Sequence, residues 1–391
     1  MADAAVFTYQ TRIRIDAPRG AALDAYATLF GKAERSLFAA IVANKAPIVE
    51  LKRSFTRNFG MTARQFNALR VSVEGKIASI KELRPHHIAE LETKIAKAKR
   101  IIAKIEKQAK DSQKHAKDQK SQSKLWEKLH HKKRRLHLLE TKLAARVADR
   151  DEGVTRLCFG SKKLFRAQFV LKSNGYENLG EWKRDWQASR SSQFFVLGSQ
   201  DETAGNQSCQ ATIDADGWFS LKLRLPDALA EAHGKLLSIE GVGFAYGQEA
   251  LTAALQSSRR IEAKTKDGKK IVKRVGSAIS YRFVRDEKGW RVFASVEAAP
   301  AKMVSFRALG AIGVDTNADH LAVSEIDRFG NLVKASRIDL PTYGKSEEQA
   351  KALIGDVCVA IATYAAKVGK PVVFEKLDFQ KKKAELEAVS P

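Results

Sequence analysis

The sequence is poor in cysteine, short of acids relative to bases, and free of long apolar runs. Its three cysteines, Cys158, Cys209 and Cys358, lie far apart and form no Cys-x-x-Cys pair. That spacing excludes a disulfide framework and a zinc ribbon built from these residues. No apolar stretch is long enough to span a bilayer as a helix, and the first residues carry no signal-peptide core. A reducing, intracellular compartment without membrane attachment is therefore expected. The acid deficit is the larger signal, since 45 Asp and Glu face 69 Lys and Arg, a formal charge of +24. Such an excess favours a polyanionic partner, most often nucleic acid, through phosphate neutralisation and counterion release. A generically basic surface would have the same composition. At 391 residues there is room for two or three domains with ordinary cores.

Phe7 to Asp16 alternates strictly, with Phe7, Tyr9, Thr11, Ile13 and Ile15 on one face and Gln10, Arg12, Arg14 and Asp16 on the other. This is the pattern of a half-buried strand whose outer face is basic. From Ala21 to about Ile80 the pattern turns helical, in short segments with Gly31 and Gly60 as breaks. Leu91, Ile95, Ala98, Ile102, Ile105 and Ala109 then repeat at steps of four and three, as do Leu125, Leu129, Lys132, Leu136, Leu139 and Leu143. Two helices folded back as an antiparallel hairpin account for both stripes. Between Lys94 and Arg146 the hairpin holds 18 Lys or Arg against 5 acids, a surface suited to phosphate, with Lys132, Lys133, Arg134 and Arg135 in one run. A solvated coiled-coil face would also be charged, but not so one-sidedly.

After Asp151 the pattern reads as strands. In Cys158 to Phe169, Phe159, Phe165 and Phe169 interleave with Lys162, Lys163 and Arg166, a mixture that suits nucleic acid and equally an amphipathic core segment. Cys209, Ala211 and Ile213 lead through "DADG" into Phe219, Leu221, Leu223 and Leu225, a hairpin. A second hairpin joins Ile279, Tyr281 and Phe283 to Trp290, Val292, Ala294 and Val296. With the first strand these could make one antiparallel sheet or barrel, interrupted by the helices. Ala263 to Arg274, which includes Lys269 and Lys270, is a basic loop or ribbon apt for phosphate.

The last eighty or so residues read β-β-β-α-β. "AIGVD" is an apolar strand ending on Asp315, "LAVSEI" and "LVKASRIDL" are two more, and Ser346 to Val368 is a helix opened by a Ser346–Gln349 capping box. After Gly369–Pro371 comes "VVFE", a buried strand that also ends on an acid, Glu375. This order is the layout of an RNase H-like core, in which the first and fourth strands lie side by side. Asp315 and Glu375 would then face each other in a partly buried site, where two carboxylates repel unless a cation intervenes. Mg²⁺ binds through carboxylates and substrate phosphate while keeping waters. A metal pair about 3.5–4 Å apart can activate water and stabilise the leaving oxygen in phosphodiester cleavage. The plainer alternative is that each acid merely caps its strand at a turn. Asp319 reads as a turn residue, His320 as structural, and Lys376 and Asp378 as a pair of undecided role.

Gly313 to Val333 and Val372 to Glu387 resemble the first and second RuvC motifs of the transposon-encoded TnpB proteins, which are similar to type V CRISPR effectors. Phe194 to Pro226 and Cys158 to Phe169 more loosely resemble the long TnpB-related branch. The resemblance implies an α+β multidomain protein. Residues 1–20 and 151–308 would form an oligonucleotide-binding, OB-like wedge barrel. Residues 21–150 would be a helical recognition lobe, and 309–391 the N-terminal part of a RuvC-like α/β nuclease domain. It further implies a guide RNA, a double-stranded DNA target flanked by a short motif, a two-ion Mg²⁺ site, and a monomer or a homodimer on RNA in a prokaryotic, nucleoid-associated setting. Asp315 and Glu375 would be two of the family's three metal-binding acids. The third acid and the zinc-binding cysteines of the family would fall beyond Pro391, so the sequence is either the N-terminal portion of a longer protein, which we expect, or naturally truncated. Two other functions compete with cleavage: RNA-guided DNA binding as a repressor or interference factor, and strand transfer by an RNase H-fold transposase.

Overall fold

The computed structural model describes residues 5–44, 47–114, 119–257, 259–264, 270–297 and 303–375. The chain divides into two compact units, Met1–Ala298 and Ala299–Pro391. In the first, strand β1 (Val6–Arg12) precedes helices α1 (Ala17–Ala39), α2 (Ile48–Phe59), α3 (Ala63–Lys114), α4 (Gln119–Asp151), α5 (Lys162–Ala167) and α6 (Leu179–Ser189). There follow β2 (Gln193–Val196), β3 (Cys209–Ile213), β4 (Phe219–Arg224), the single turn α7 (Ala230–His233), β5 (Leu236–Val242) and α8 (Gln248–Gln256). Four strands complete it: β6 (Arg259–Lys264), β7 (Lys270–Val275), β8 (Ile279–Asp286) and β9 (Gly289–Glu297).

The sequence reading allows one antiparallel sheet or barrel and the resemblance implies a barrel, but among the described residues no barrel closes. One antiparallel sheet runs β1-β9-β8-β2, a second β3-β4-β5, and β6-β7 is a separate ribbon. The first strand does return to the second hairpin, with Tyr9 opposite Ala294 and Thr11 opposite Val292. The two larger sheets and the helices share one core. Tyr26 of α1 stacks on Phe194 of β2 at 4.1 Å between centroids, and Phe194 on Phe283 of β8 at 4.8 Å. Leu23, Phe66 and Leu69 share that core with Leu221, Leu223 and Val292. Apolar burial of this kind, about 1.5–3 kcal/mol per large side chain, holds the helices against both sheets.

Two helical boundaries differ from the sequence reading. Gly31 does not break α1; a Cβ there would lie 2.3 Å from the Arg190 carbonyl oxygen, so the residue marks close packing instead. Gly60 does end α2, in a left-handed cap with φ 54°. Helix α3 is one element of 52 residues, because the stripe of Phe66, Leu69 and Val73 continues through Ile88 and Ile95 to Ile102 and Ile105. It leaves the core and pairs with α4, where Ile102, Ile105 and Leu129 bury one another. The Lys99–Glu140 and Lys133–Glu106 ion pairs, at 3.0 and 2.7 Å, share a single antiparallel register. Between α4 and β2 the sequence reading predicts strands, whereas α5 is a short helix. Ser161 caps it by accepting the Leu164 N–H at 3.3 Å.

The second unit holds β10 (Ala311–Thr316), β11 (His320–Ile326), β12 (Leu332–Asp339), α9 (Glu347–Val368) and β13 (Val372–Phe374). Its sheet runs β12-β11-β10-β13, antiparallel except for the β10–β13 pair, which is parallel. Parallel neighbours need a crossover, and α9 supplies it. Ile312, Val314, Leu321 and Val323 meet Val357, Ile361 and Ala365 of α9 in one small core. The capping box at Ser346 and Gln349 is present, and Gly369 stops the helix in the left-handed region with φ 67°. Gly310, at φ 107°, starts β10 where any Cβ would come within 2.1 Å of the Ile326 carbonyl oxygen. The molecule is thus mixed α+β with several antiparallel sheets.

Candidate functional site

Asp315 lies near the end of β10, opposite Ala322 of β11. On the other side, β13 pairs in parallel, with Ile312 opposite Val372, Gly313 opposite Val373 and Val314 opposite Phe374. Asp315 and Glu375 are the next residue on each strand, so two acids distant in the chain come to adjacent positions at one end of the sheet. By alternation both fall on the face of Gly313 and Val373, away from the face that α9 covers. Both are exposed, not partly buried as the sequence reading has it. Nor is β13 a buried strand: it is an edge strand with Val373 and Phe374 about half exposed. The cost of an unpaired buried Glu therefore does not apply to Glu375.

Asn317 donates its amide to Asp315 Oδ2 at 3.3 Å. Among the described residues neither acid forms an ion pair, and no group of three or more His, Cys, Asp or Glu side chains gathers at metal-binding range. What remains is a pair of hard oxygen donors with no ion-paired cation among the described residues. That donor set fits a divalent ion which keeps waters and takes further oxygens from a substrate. Asp319 and His320 stand apart as a surface cluster, with the ring Nδ1 at 2.6 Å and Arg337 at 3.2 Å from the carboxylate. The His320 hydrogen bond, then Arg337, holds the Asp319 carboxyl below its ordinary value. Lys376 and Asp378 lie outside the described residues.

Sequence reasoning missed the buried polar group of this unit. Glu325 on β11 and Lys370, between α9 and β13, are 7% and 8% exposed and form an ion pair of 2.6 Å. Lys370 also donates to the Ile326 carbonyl at 3.0 Å, and the Tyr364 hydroxyl donates to the second Glu325 oxygen. Lys370, then Tyr364, holds the Glu325 carboxyl below its ordinary value, and the bond to Glu325 holds the Tyr364 phenol above its own. A signal did exist: strict alternation through Leu321 and Val323 sends Glu325 inward, and a buried acid needs a partner.

The basic candidates divide by what else they touch. Arg12 is not free, because its guanidinium grips Asp286 through bonds of 2.8 and 3.0 Å, and this pulls the Asp286 carboxyl down to about 2. Arg14 is exposed just past β1. On α4, Lys133 is held by Glu106 and Lys132 is half-buried, while Arg134 and Arg135 are exposed. Lys162, Lys163 and Arg166 are exposed on α5. Lys270 opens β7 with its side chain outside the description, and Lys269 lies outside the described residues altogether. No helix among the described residues is long and apolar enough to cross a membrane. No family model matches this chain, and no curated protein matches it.

Proposed function

We propose that the protein is an RNA-guided DNA endonuclease, with an RNase H-like nuclease domain of the RuvC type in its second unit and a wedge and recognition lobe in its first. The observation that carries this reading is the parallel β10–β13 register, which sets Asp315 and Glu375 side by side. Single acids at strand ends are common, but two brought together by a crossover, with no ion-pair partner among the described residues, offer carboxylate oxygens from two strands to one divalent ion. Asp315 and Glu375 would hold Mg²⁺, which supplies electrostatic stabilisation of a phosphodiester under attack by water. The residues themselves would furnish an anionic, exposed sheet end open to an ion and a phosphate. The resemblance of the two strands to RuvC motifs, and the +24 charge that a nucleic-acid partner would neutralise, support the same reading. Exposed Arg134 and Arg135 on the long hairpin would meet phosphates, leaving sequence to base pairing with the guide.

The test is Mg²⁺-dependent cleavage of guide-matched DNA by the full-length protein, and by its Asp315→Ala and Glu375→Gln variants. Both substitutions should abolish cutting while guide RNA stays bound. Guide-matched cutting that survives either change rejects the site. Guide-matched binding without cutting by the unaltered protein replaces the nuclease with an interference factor, and joined rather than cut strands replace it with a transposase.

A further inference from the structure

We propose that Phe165 and Phe169, backed by Trp186, form a stacking platform for unpaired RNA bases, framed by the cations of α5 and α6. The rings form a connected series. Trp182 is buried and donates its indole N–H to the Leu164 carbonyl at 2.7 Å, which fixes α6 against α5. Trp186 stacks on it at 5.9 Å with planes 13° apart, Phe165 lies 5.5 Å from Trp186, and Phe169 meets Phe165 edge-on at 6.2 Å. The series runs from interior to surface and ends with Phe165 44% and Phe169 73% exposed. Phe159, the remaining ring of the segment, does not join it: it packs edge-on against Phe38 with Lys76 above it.

A single exposed apolar residue is ordinary, but a chain of rings led outward from a buried anchor presents two neighbouring rings, Phe165 and Phe169, to solvent. The charge around them selects the occupant. Lys162 to Arg190 holds seven Lys or Arg against three acids. Two of those acids are already engaged, Asp185 by the Tyr176 hydroxyl and Glu181 by the Glu177 N–H. Among the described residues Lys162, Lys163 and Arg166 have no acidic partner. Arg190 sits 4.8 Å over Trp186, so one cation is itself layered into the series. An apolar protein surface would find little gain in that many free cations, whereas a nucleic-acid strand uses both, its bases on the rings and its phosphates on the bases around them. Stacking needs an unpaired base. RNA presents these in loops and ends without prior opening, whereas a DNA strand offers them only once unwound, so RNA is the occupant we assign.

This inference deepens the proposed function and shares its RNA partner, but it concerns binding alone. The experiment measures affinity of the whole chain, without divalent ion, for a short labelled single-stranded RNA, the same RNA in a duplex, and single-stranded DNA of the same sequence. Phe169→Ala should weaken unpaired RNA about tenfold, the loss of one stack. Duplex affinity and the salt slope should stay unchanged because no cation is removed, and Phe169→Trp should restore binding. The part of the tryptophan fluorescence that a Trp186→Phe variant lacks should be quenched by unpaired RNA and not by the duplex. Unchanged affinity in Phe169→Ala, or equal losses on duplex and single strand, would overturn the platform. An equal loss on single-stranded DNA would overturn its assignment to RNA, and dispersal of a dimer instead would make it a protein contact. Failure here leaves the cleavage test standing, and failure of cleavage leaves this binding result standing.

Discussion

Lys370→Met is the sharpest probe of how the acid pair is held. Strand β13 pairs through only three residues, so its register depends on what fixes its start. Lys370 stands two residues before it and binds both the Glu325 carboxylate and the Ile326 carbonyl of β11. Removing the ammonium leaves Glu325, 7% exposed, with the Tyr364 hydroxyl as its remaining side-chain hydrogen bond among the described residues and the Lys334 charge farther off. An uncompensated buried charge costs about 3–5 kcal/mol, and the lower end applies because both groups retain some contact with water. About 3 kcal/mol is roughly a hundredfold in the opening equilibrium. All five tryptophans precede Ala299, so their fluorescence is silent on this unit. Amide hydrogen exchange of Ala311–Ile326 and Val372–Phe374 reads it directly, and should quicken by roughly a hundredfold. The double change Glu325→Met with Lys370→Met removes the orphaned charge and should recover most of the loss. Exchange within threefold of the unaltered protein in Lys370→Met, or a double variant less protected than the single one, would refute the reasoning. The pH dependence has a definite sign. Glu325 is held below its ordinary value of 4.5 by Lys370. Its contribution is therefore complete above that value and is lost as pH falls through the folded one, so the gap between variant and parent should close in acid.

Other outcomes follow from packing and charge. Reversing Lys132, Lys133, Arg134 and Arg135 should weaken nucleic-acid binding and flatten its salt dependence, measured as the slope of affinity against salt; an unchanged slope would make α4 a merely solvated face. Two glycines of α1 should respond with opposite signs in chemical denaturation. Gly31→Ala should destabilise by about 1–3 kcal/mol, because its Cβ would meet the Arg190 carbonyl. Gly20→Ala, with nothing within 4 Å, should stabilise by up to about 0.8 kcal/mol through helix propensity.

Local pattern alone determined much of this protein. Alternation located β1, both hairpins and the strands of the second unit, and the Ser346–Gln349 capping box located the start of α9. These features are legible because side-chain periodicity and capping are set by residues within one or two turns of each other. The segment after Asp151 was misread because aromatic and basic residues fit a strand or a short helix equally well, and only the Ser161 cap tips the balance. Partnership was decided by the tertiary structure. No local pattern says that Gly31 faces the carbonyl of Arg190, or that Arg12 is spent on Asp286 and so withdrawn from any phosphate. Glu325 could be seen to point inward, but its answering Lys370 lies past a helix and across the sheet. Asp315 and Glu375 were legible as strand ends, while their exposure was not. Exposure depends on which faces the rest of the chain covers, and that is a sum over contacts between residues far apart in sequence.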